Sequence, residues 1–198
     1  NYVNTTCLGI DATATGFNMV RIGNTFVTSI GGYVNWSNIS DGRFKENVKE
    51  DVPGLSFITQ LRPVTYQLNR DKINELNGVN ERRNKIKQEN PETEFLSGDK
   101  YSEVTTGFIA QEVEDVAKKL GFTFSGVDAP KNDNDFYGLR YAEFVVPLVK
   151  AVQELNDENN LLKTEIENTK IQLQQVMLKL QTEIDQLKQQ VIVVSSNR

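Results

Sequence analysis

The sequence predicts an α+β protein built from three consecutive parts: a short β-stalk segment, a mixed α/β domain and a C-terminal coiled coil. Three observations lead to this prediction. Short alternating apolar stretches separated by glycine occupy residues 1–39, and apolar residues with helical and with strand spacing alternate through residues 40–147. A seven-residue apolar repeat begins at Leu148 and continues to Leu180, within a predicted helix over residues 148–198. We place the domain boundaries at these changes of pattern.

The composition restricts the possible classes of function. The 198 residues include one cysteine and no histidine, and their formal net charge is -5. Lysine and arginine form no dense cluster that could follow a phosphate backbone, so we expect no nucleic-acid partner. Without histidine the usual general base and the commonest zinc ligand are absent, and nucleophilic chemistry needs a lysine, a carboxylate or a terminal amine. We expect no metal and no cofactor.

The start of the chain and its hydropathy bear on its origin. The chain begins at Asn1 rather than at a methionine, and it contains no apolar run of membrane-spanning length. We therefore expect no membrane partner, and we interpret the sequence as the C-terminal part of a longer protein.

Residues 1–39 contain short candidate strands, such as MVRI, TFVTSI and YVNW, separated by GN and GG. These stretches carry too few apolar residues to bury a core alone, so they need a larger upstream β-fold or identical chains as pairing partners. The near-regular spacing of strands and turns is compatible with a β-solenoid or an intertwined β-stalk.

Helix and strand signals alternate through residues 40–147. An apolar helical turn from Leu55 to Leu61 is followed, after a proline, by a predicted strand from Val64 to Leu68. The polar residues 71–100 predict an exposed insertion with some helix. A strand then leads into a helix whose apolar residues, from Ile109 onward, keep a three-and-four spacing until Gly121 ends it.

The heptad repeat is the clearest pattern in the chain. Because it lasts four or more heptads, it favours a coiled coil over the alternative, a single amphipathic helix packed on its own domain. The polar Asn159 in the seam is expected to fix the register, and the mixture of Val, Ile and Leu does not choose between two and three strands. The predicted seam residues are Leu148, Val152, Leu155, Asn159, Leu162, Ile166, Leu173, Val176 and Leu180.

The segment SDGRFK, Ser40 to Lys45, lies where the first part meets the second. Asp-Gly between alternating stretches predicts a two-residue hairpin turn, which places Ser40 opposite Arg43 and diagonal to Lys45, within reach of the lysine stem. A serine hydroxyl becomes a nucleophile when a base takes its proton. A lysine can do this only when burial or a cationic neighbour, such as Arg43, favours its neutral form. A surface turn with ordinary charges is the alternative.

Four separated motifs resemble one known family. SDGRFKENV is similar to the Ser-Asp-x-Arg-x-Lys-x-Asn signature of the intramolecular chaperone auto-processing domains found at the C-termini of phage tailspikes and tail fibres, and in a membrane-tethered myelin transcription factor. LRPVTYQLN resembles the family's Leu-x-Pro-Val-x-Tyr strand, GFIAQEVE its strand-to-helix element, and LRYAEFVVPLVKAVQELN its C-terminal helix. The resemblance covers most of residues 40–162 and explains the insertion least.

The resemblance implies a self-cleaving serine endopeptidase that acts once, in cis. It also implies a homotrimer with a trimeric coiled coil, which templates the folding of the upstream β-fibre of the same polypeptide and then releases itself. The implied location is a virion, as part of a phage tail fibre, or a bacterial cell surface or secreted fibre. The family's nucleophile and base fall on Ser40 and Lys45, and its supporting turn falls on Asp41, Gly42, Arg43 and Asn47.

The bond that breaks can be argued from ring size. Attack of the Ser40 hydroxyl on the carbonyl carbon of Ile39 passes through a five-membered ring, whereas attack on its own carbonyl would need a four-membered ring. We therefore expect the Ile39–Ser40 bond to break by an N-to-O acyl shift followed by hydrolysis of the ester. Cleavage after Ser40 is the alternative.

Weaker patterns predict no further chemistry. Asp133 and Asp135 are spaced as in calcium loops, but the following Asp-x-Gly and the distant Glu are missing, so we expect no metal there. Glu112 and Glu114 diverge on a helix, which favours solvated charges over a glycosidase pair. Trp36, close to a tyrosine, is expected to pack between chains, with a sugar-binding platform as the alternative.

Two other functions stay open from the sequence. One is an inert structural trimeric stalk or adhesin end, in which Ser40 and Lys45 perform no chemistry. The other is a fibre tip that binds a glycan, which would need an exposed aromatic groove.

Overall fold

A computed structural model describes residues 2–95 and 97–196. Two 3-10 helices, Gly42–Phe44 and Tyr141–Phe144, accompany the regular elements. The strands pair two at a time, β1 with β2 in parallel, β3 with β4 and β5 with β6 antiparallel. The elements are β1 Thr5–Leu8, β2 Met19–Ile22, α1 Leu55–Ile58, β3 Val64–Tyr66, α2 Arg70–Leu76, α3 Val79–Glu89, β4 Thr105–Gly107, α4 Ala110–Lys119, β5 Val127–Asp128, β6 Gly138–Leu139 and α5 Val145–Ser196.

The prediction of a mixed α/β protein with small sheets and a long C-terminal helix is confirmed. The predicted helical turn corresponds to α1, and the predicted strand begins at Val64 but ends at Tyr66. Helix α4 follows β4, as the sequence indicates, and the chain leaves it at Gly121, whose φ of 64° is a left-handed conformation that glycine adopts without steric cost. The insertion contains α2 and α3.

Of the strands predicted near the N-terminus, MVRI is present as β2. In the single chain residues 27–41 pair with no strand, so TFVTSI and YVNW do not form the predicted strands there. We call residues 27–53 the arm. Its regular structure is the 3-10 helix Gly42–Phe44, and nearly all of its side chains are exposed. The arm is therefore extended, and its apolar side chains have no cover within the described chain.

The core of the middle part is aromatic. Phe57 of α1, Val113 and Ala117 of α4, and Phe124 and Phe144 are all buried in one cluster. The ring centroids of Phe57 and Phe124 lie 4.9 Å apart and those of Phe124 and Phe144 lie 4.8 Å apart, both edge to face. This cluster fixes α1, α4 and the approach to α5 relative to one another.

The insertion is not simply exposed, which corrects the expectation from its polar sequence. Asn74 of α2 and Val79 at the start of α3 are buried. Thr25 donates a hydrogen bond from its hydroxyl to the side-chain oxygen of Asn74 at 3.2 Å, and Arg70 Nε donates to the carbonyl oxygen of Thr25 at 2.8 Å. Polar side chains of the insertion form hydrogen bonds with the N-terminal segment, residues 2–26. The low hydrophobicity of the insertion therefore does not mean that all of its side chains are exposed.

Two further arginines of α3 hold the same N-terminal segment. Arg83 pairs with Asp11 at 2.5 Å, with only 17% and 6% of the two side chains exposed. Arg82 donates to the hydroxyl of Thr13 at 2.6 Å. Since a largely desolvated ion pair requires accurate geometry, these contacts fix the position of the segment on the insertion.

Helix α5 begins three residues before the predicted heptads. Pro147 and Ala151 are buried in its first turns, while residues 155–192 are exposed on all sides. Exposure of the apolar seam residues ranges from 44% at Leu148 to 64% at Val152. The 52 residues span about 78 Å. The seam of α5 is therefore an apolar stripe that nothing covers in the described part of the single chain.

Helix α1 packs on the first turns of α5 at Gly54. The backbone N–H of Leu55 donates to the Glu154 carboxylate at 2.7 Å. A Cβ atom on Gly54 would lie 2.5 Å from Oε2 of Glu154 and 2.6 Å from the backbone nitrogen of Ala151. Only glycine therefore allows the two backbones to approach this closely.

We expect Gly54→Ala to destabilise the protein by about 1–3 kcal/mol, because the added methyl overlaps backbone atoms that cannot move aside. Gly138→Ala is the matched control, since its Cβ would make an ordinary 3.6 Å contact with Asp128. Differential scanning calorimetry should show a melting temperature lower by several degrees for Gly54→Ala and nearly unchanged for Gly138→Ala. Equal melting temperatures for the two variants would contradict the close packing.

Candidate functional site

The SDGRFK segment forms a 3-10 turn rather than the predicted hairpin. Asp41 caps the turn: its carboxylate accepts a hydrogen bond from the backbone N–H of Arg43 at 2.9 Å. The N–H groups of Phe44 and Lys45 donate to the carbonyl oxygens of Asp41 and Gly42, at 3.1 and 3.2 Å. The hairpin fails for a local reason, because an Asp side chain competes for the backbone and no strands flank the turn.

The turn nevertheless brings Ser40 and Lys45 together. Nζ of Lys45 donates to Oγ of Ser40 at 2.9 Å, and both side chains are exposed in the single chain. A separation of 2.9 Å lies within the range that direct proton transfer between a hydroxyl and an amine requires. The sequence expectation that the lysine stem reaches the serine therefore agrees with the geometry, although the backbone path is different.

Arg43 pairs with Asp41. Its guanidinium donates to the Asp41 carboxylate through Nε at 3.0 Å and Nη2 at 2.6 Å, and it lies 5.7 Å from the centre of the Phe44 ring. The side-chain hydrogen bonds from Arg43, aided by its backbone N–H, lower the pKa of the Asp41 carboxyl below its ordinary value. The cationic neighbour that the sequence suggested for Lys45 is thus paired with Asp41.

Asn47, Ile39 and Gly42, which the sequence also singles out, lie after, before and within the turn. Asn47 has a φ of 53°, a left-handed conformation that asparagine tolerates better than most residues, and it redirects the chain after Lys45. Ile39, at the expected cleavage point, is 88% exposed. Gly42 has open space where a Cβ would stand. The turn holds its shape through its own hydrogen bonds, while its surroundings are solvent.

The carboxylates that the sequence singled out elsewhere make structural contacts. Asp135 accepts from the hydroxyl of Thr15 at 2.5 Å and from the backbone N–H of Lys131 at 3.2 Å. These two bonds, led by the one from Thr15, lower the pKa of Asp135 against the opposing effect of burial. Within residues 2–95 and 97–196, no cluster of three His, Cys, Asp or Glu side chains could hold a metal ion.

Glu112 and Glu114 point to separate partners. Glu112 pairs with Arg62, whose Nε donates to Oε2 at 3.1 Å. Glu114 pairs with Lys118 at 2.9 Å and accepts from the hydroxyl of Tyr137 at 2.9 Å. Each carboxylate therefore has its own ion-pair partner on the surface, and the two line no common cavity among those found in the described residues.

A cavity in the middle part of the chain is lined by none of the residues of the Ser40–Lys45 turn. It has a volume of about 520 Å³ and is lined by aromatic residues of the middle part, among them Tyr66, Phe108 and Tyr141. Tyr33 and Trp36, the other aromatic candidates, are 109% and 86% exposed on the arm. In the described part of the chain these two rings form no groove with other aromatic residues.

Two sets of contacts could not be found from the sequence. Arg83 and Asp11 are 72 residues apart, and Leu55 and Glu154 are 99 residues apart. No local pattern connects either pair. The one sequence feature that indicates such contacts is the presence of arginines in an insertion that has few apolar residues.

Residues 40–122 match the family model described as chaperone of endosialidase. The matched segment begins at Ser40, contains the Ser40–Lys45 turn and extends one residue beyond Gly121, where α4 has ended. The resemblance to an intramolecular chaperone domain is therefore confirmed over these residues, and the match supports a chaperone role. No curated protein and no solved structure matches the chain.

The Asp41 cap should depend on pH. Because the folded pKa of Asp41 is lowered, the capping bonds are present above its ordinary pKa and are lost as the pH falls through the lowered value. In the Ser40→Ala chain, Arg43→Gln should raise the Asp41 pKa toward its ordinary value, measured by NMR titration of the side-chain carboxyl carbon. An unchanged titration midpoint in Arg43→Gln would show that the guanidinium does not cause the shift.

Proposed function

We propose that this chain is an intramolecular chaperone that assembles as a homotrimer, templates the folding of an upstream β-fibre and then releases itself by cutting the Ile39–Ser40 bond. The observation that carries the proposal is the 2.9 Å contact between Lys45 Nζ and Ser40 Oγ, at the start of a segment that matches a chaperone family. The exposed position of Ser40 and Lys45 fits a single reaction within the chain rather than repeated turnover of a separate substrate.

The chemistry divides into two steps. Lys45, in its neutral form, takes the proton of the Ser40 hydroxyl as Oγ attacks the carbonyl carbon of Ile39. The C–N bond breaks, and the proton passes to the departing amino group of Ser40, which leaves an ester between Ile39 and the serine oxygen. Water then hydrolyses the ester. The products are a chain ending in the Ile39 carboxylate and a chaperone beginning with the Ser40 amine.

Lys45 is exposed to solvent in the single chain. Burial by neighbouring chains would favour the neutral amine and would exclude competing water contacts from the turn. The arm, with its exposed apolar side chains, is the part of the molecule that such neighbours would cover. We therefore infer that cleavage follows assembly.

The order of folding supports a templating role. A coiled coil forms from local contacts, whereas strands shared between chains form non-local contacts and nucleate slowly. Once α5 has joined the chains, it raises the local concentration of their N-terminal segments. The insertion already holds one such segment through Arg83 and Asp11 and through Arg70 and Thr25. Each domain thus keeps the growing end of the fibre in a defined position.

Cleavage gives the process its direction. When the chaperone has separated, the fibre can no longer unfold along the path by which it was guided, and a high unfolding barrier maintains the mature form. The family match supports association with an upstream fibre and a location in a phage virion; a bacterial surface fibre is the alternative. No helix in the described residues is long and apolar enough to cross a membrane.

Two substitutions at the dyad separate chemistry from folding. Ser40→Ala should leave an assembled but uncut protein, because a hydroxyl contributes only about 1 kcal/mol to stability while the acyl transfer loses its attacking atom. Lys45→Arg should slow cleavage by at least about a hundredfold, because a guanidinium keeps its proton. The measurement is the time course of fragments on a denaturing gel, with the new amino terminus identified by mass spectrometry.

Lys49→Arg is the matched control for Lys45→Arg, because Lys49 is an exposed lysine of the same arm. It should cleave at the wild-type rate. Fast cleavage in Lys45→Arg would remove the lysine from the mechanism. A wild-type chain that stays whole under all conditions would favour the inert structural stalk instead.

The seam can be tested in the same assay. Leu155→Asp or Leu162→Asp should abolish both assembly and cleavage, because each places a charge between packed helices. Leu161→Asp is the matched control, since Leu161 is 61% exposed and lies one residue outside the predicted seam. Sedimentation velocity should give a trimer for the wild type and for Leu161→Asp, and a monomer for the seam variants. Seam variants that cut themselves at the normal rate would disprove the coupling.

A further inference from the structure

The N-terminal segment contains a repeat with a period of 14 residues. Strands β1 and β2 pair in parallel, with Thr5 beside Met19 and Leu8 beside Ile22, so each residue lies next to the residue 14 positions later. The two strands belong to successive coils of the same chain. The connection between them, residues 9–18, brings the chain back so that β2 runs beside β1 in the same direction. Stacked parallel strands with a constant offset are the defining feature of a β-solenoid.

The backbone conformation repeats with the same period. Asn4 and Asn18, just before the two strands, have φ values of 54° and 57°. Gly9 and Gly23, just after them, have φ values of 101° and 77°. Left-handed residues at two equivalent positions of both coils mean that the coils enter and leave their strands by equivalent turns.

Side chains also stack from one coil to the next. Nδ2 of Asn4 donates to Oδ1 of Asn18 at 2.9 Å, and Nδ2 of Asn24 donates to the carbonyl oxygen of Ile10 at 3.1 Å. Both pairs are separated by 14 residues. The contact between coils therefore extends beyond the strand ladder at both ends.

A third copy of the pattern lies in the arm. Residues 4–10 read NTTCLGI, residues 18–24 read NMVRIGN and residues 32–38 read GYVNWSN. Gly32 aligns with Asn4 and Asn18 at the first left-handed position, a conformation that glycine can adopt. Val34 is equivalent to Val20. Trp36 is equivalent to Leu8 and Ile22, so the last position of each strand is a large apolar residue.

The third copy departs from the first two at its end. Ser37 stands where the first two coils have Gly9 and Gly23. Because a serine disfavours the left-handed conformation of those glycines, the chain leaves the solenoid after this strand instead of starting a fourth coil.

A free edge and an unpaired segment are both present in the structure. Among the described residues, β2 pairs with β1 alone, so its other edge offers unpaired N–H and C=O groups. Tyr33, Val34 and Trp36 are 109%, 85% and 86% exposed, and no strand pairs with them in the described chain. The sequence period identifies which segment fits this edge and in which register.

We infer that residues 32–38 are the third and last coil of a β-solenoid and dock in parallel on the free edge of β2 in the same chain. In this register Val34 lies beside Val20 and Trp36 lies beside Ile22, which covers apolar side chains that are exposed without the third coil. If the Ile39–Ser40 bond is cut as proposed above, this coil becomes the last coil of the released fibre.

Cysteine pairs test the register. Val20→Cys with Val34→Cys, in a Cys7→Ser and Ser40→Ala chain, should close a disulfide within one chain, because directly paired parallel strands bring Cα atoms to about 4.8 Å. The control pair, Val20→Cys with Asn35→Cys, should stay open, since a shift of one residue places the second thiol on the opposite face. Nonreducing gels and peptide mapping identify the products. Disulfides between chains, or no preference between the two pairs, would overturn the inference.

Hydrogen exchange on the uncut Ser40→Ala protein provides a measurement without added cysteines. Every second backbone amide of residues 33–36, those that face β2, should be protected by more than about tenfold relative to residues 46–52 of the arm. Gly32→Asn should keep this protection, because asparagine holds the equivalent left-handed position twice already, whereas the β-branched Gly32→Val should lose it. Unprotected amides in the parent protein would overturn the third coil without affecting the proposed cleavage, which neither experiment measures.

Discussion

The contact between α1 and the first turns of α5 joins the parts of this protein. Gly54 lets the backbone of α1 come against Ala151, and Glu154 accepts the hydrogen bond of the Leu55 amide. The arm, with Ser40 and Lys45, leaves this contact on one side, and the long helix leaves it on the other. The arm ends at residue 53 and α1 contacts α5 directly after it, so the position of α5 determines where the arm joins the rest of the protein.

Apolar surface is distributed unusually in this chain. The middle part buries a small aromatic cluster, while α5 beyond residue 155 and the arm expose large aliphatic and aromatic side chains. Exposed apolar surface of this extent is typical of a surface that binds other chains. The polar insertion contributes differently, since it holds the N-terminal segment through ion pairs and hydrogen bonds such as Arg83 with Asp11. Specific polar contacts of this kind fix the position of the N-terminal segment without adding a large apolar surface.

The sequence predicts the elements whose signals are local and leaves out those that depend on distant partners. Periodic apolar residues identify α4 and α5, and the motif around Ser40 identifies a pair of side chains that the structure brings to 2.9 Å. The hairpin was wrong because the Asp41 side chain caps a 3-10 turn, a local competition that the Asp-Gly dipeptide does not reveal. The packing of Arg83 on Asp11 was missed because 72 residues separate them.

If the coils inferred above form a solenoid fibre, the 14-residue offset between β1 and β2 also limits how that fibre can change in length during evolution. One coil advances a stack of parallel strands by about 4.8 Å, the spacing between neighbouring strands. An insertion or deletion of a whole coil preserves every stacked asparagine and every left-handed glycine. A change of any other size shifts the register, and an odd shift turns the inward residues of the strand outward. Related fibres are therefore expected to differ by whole coils.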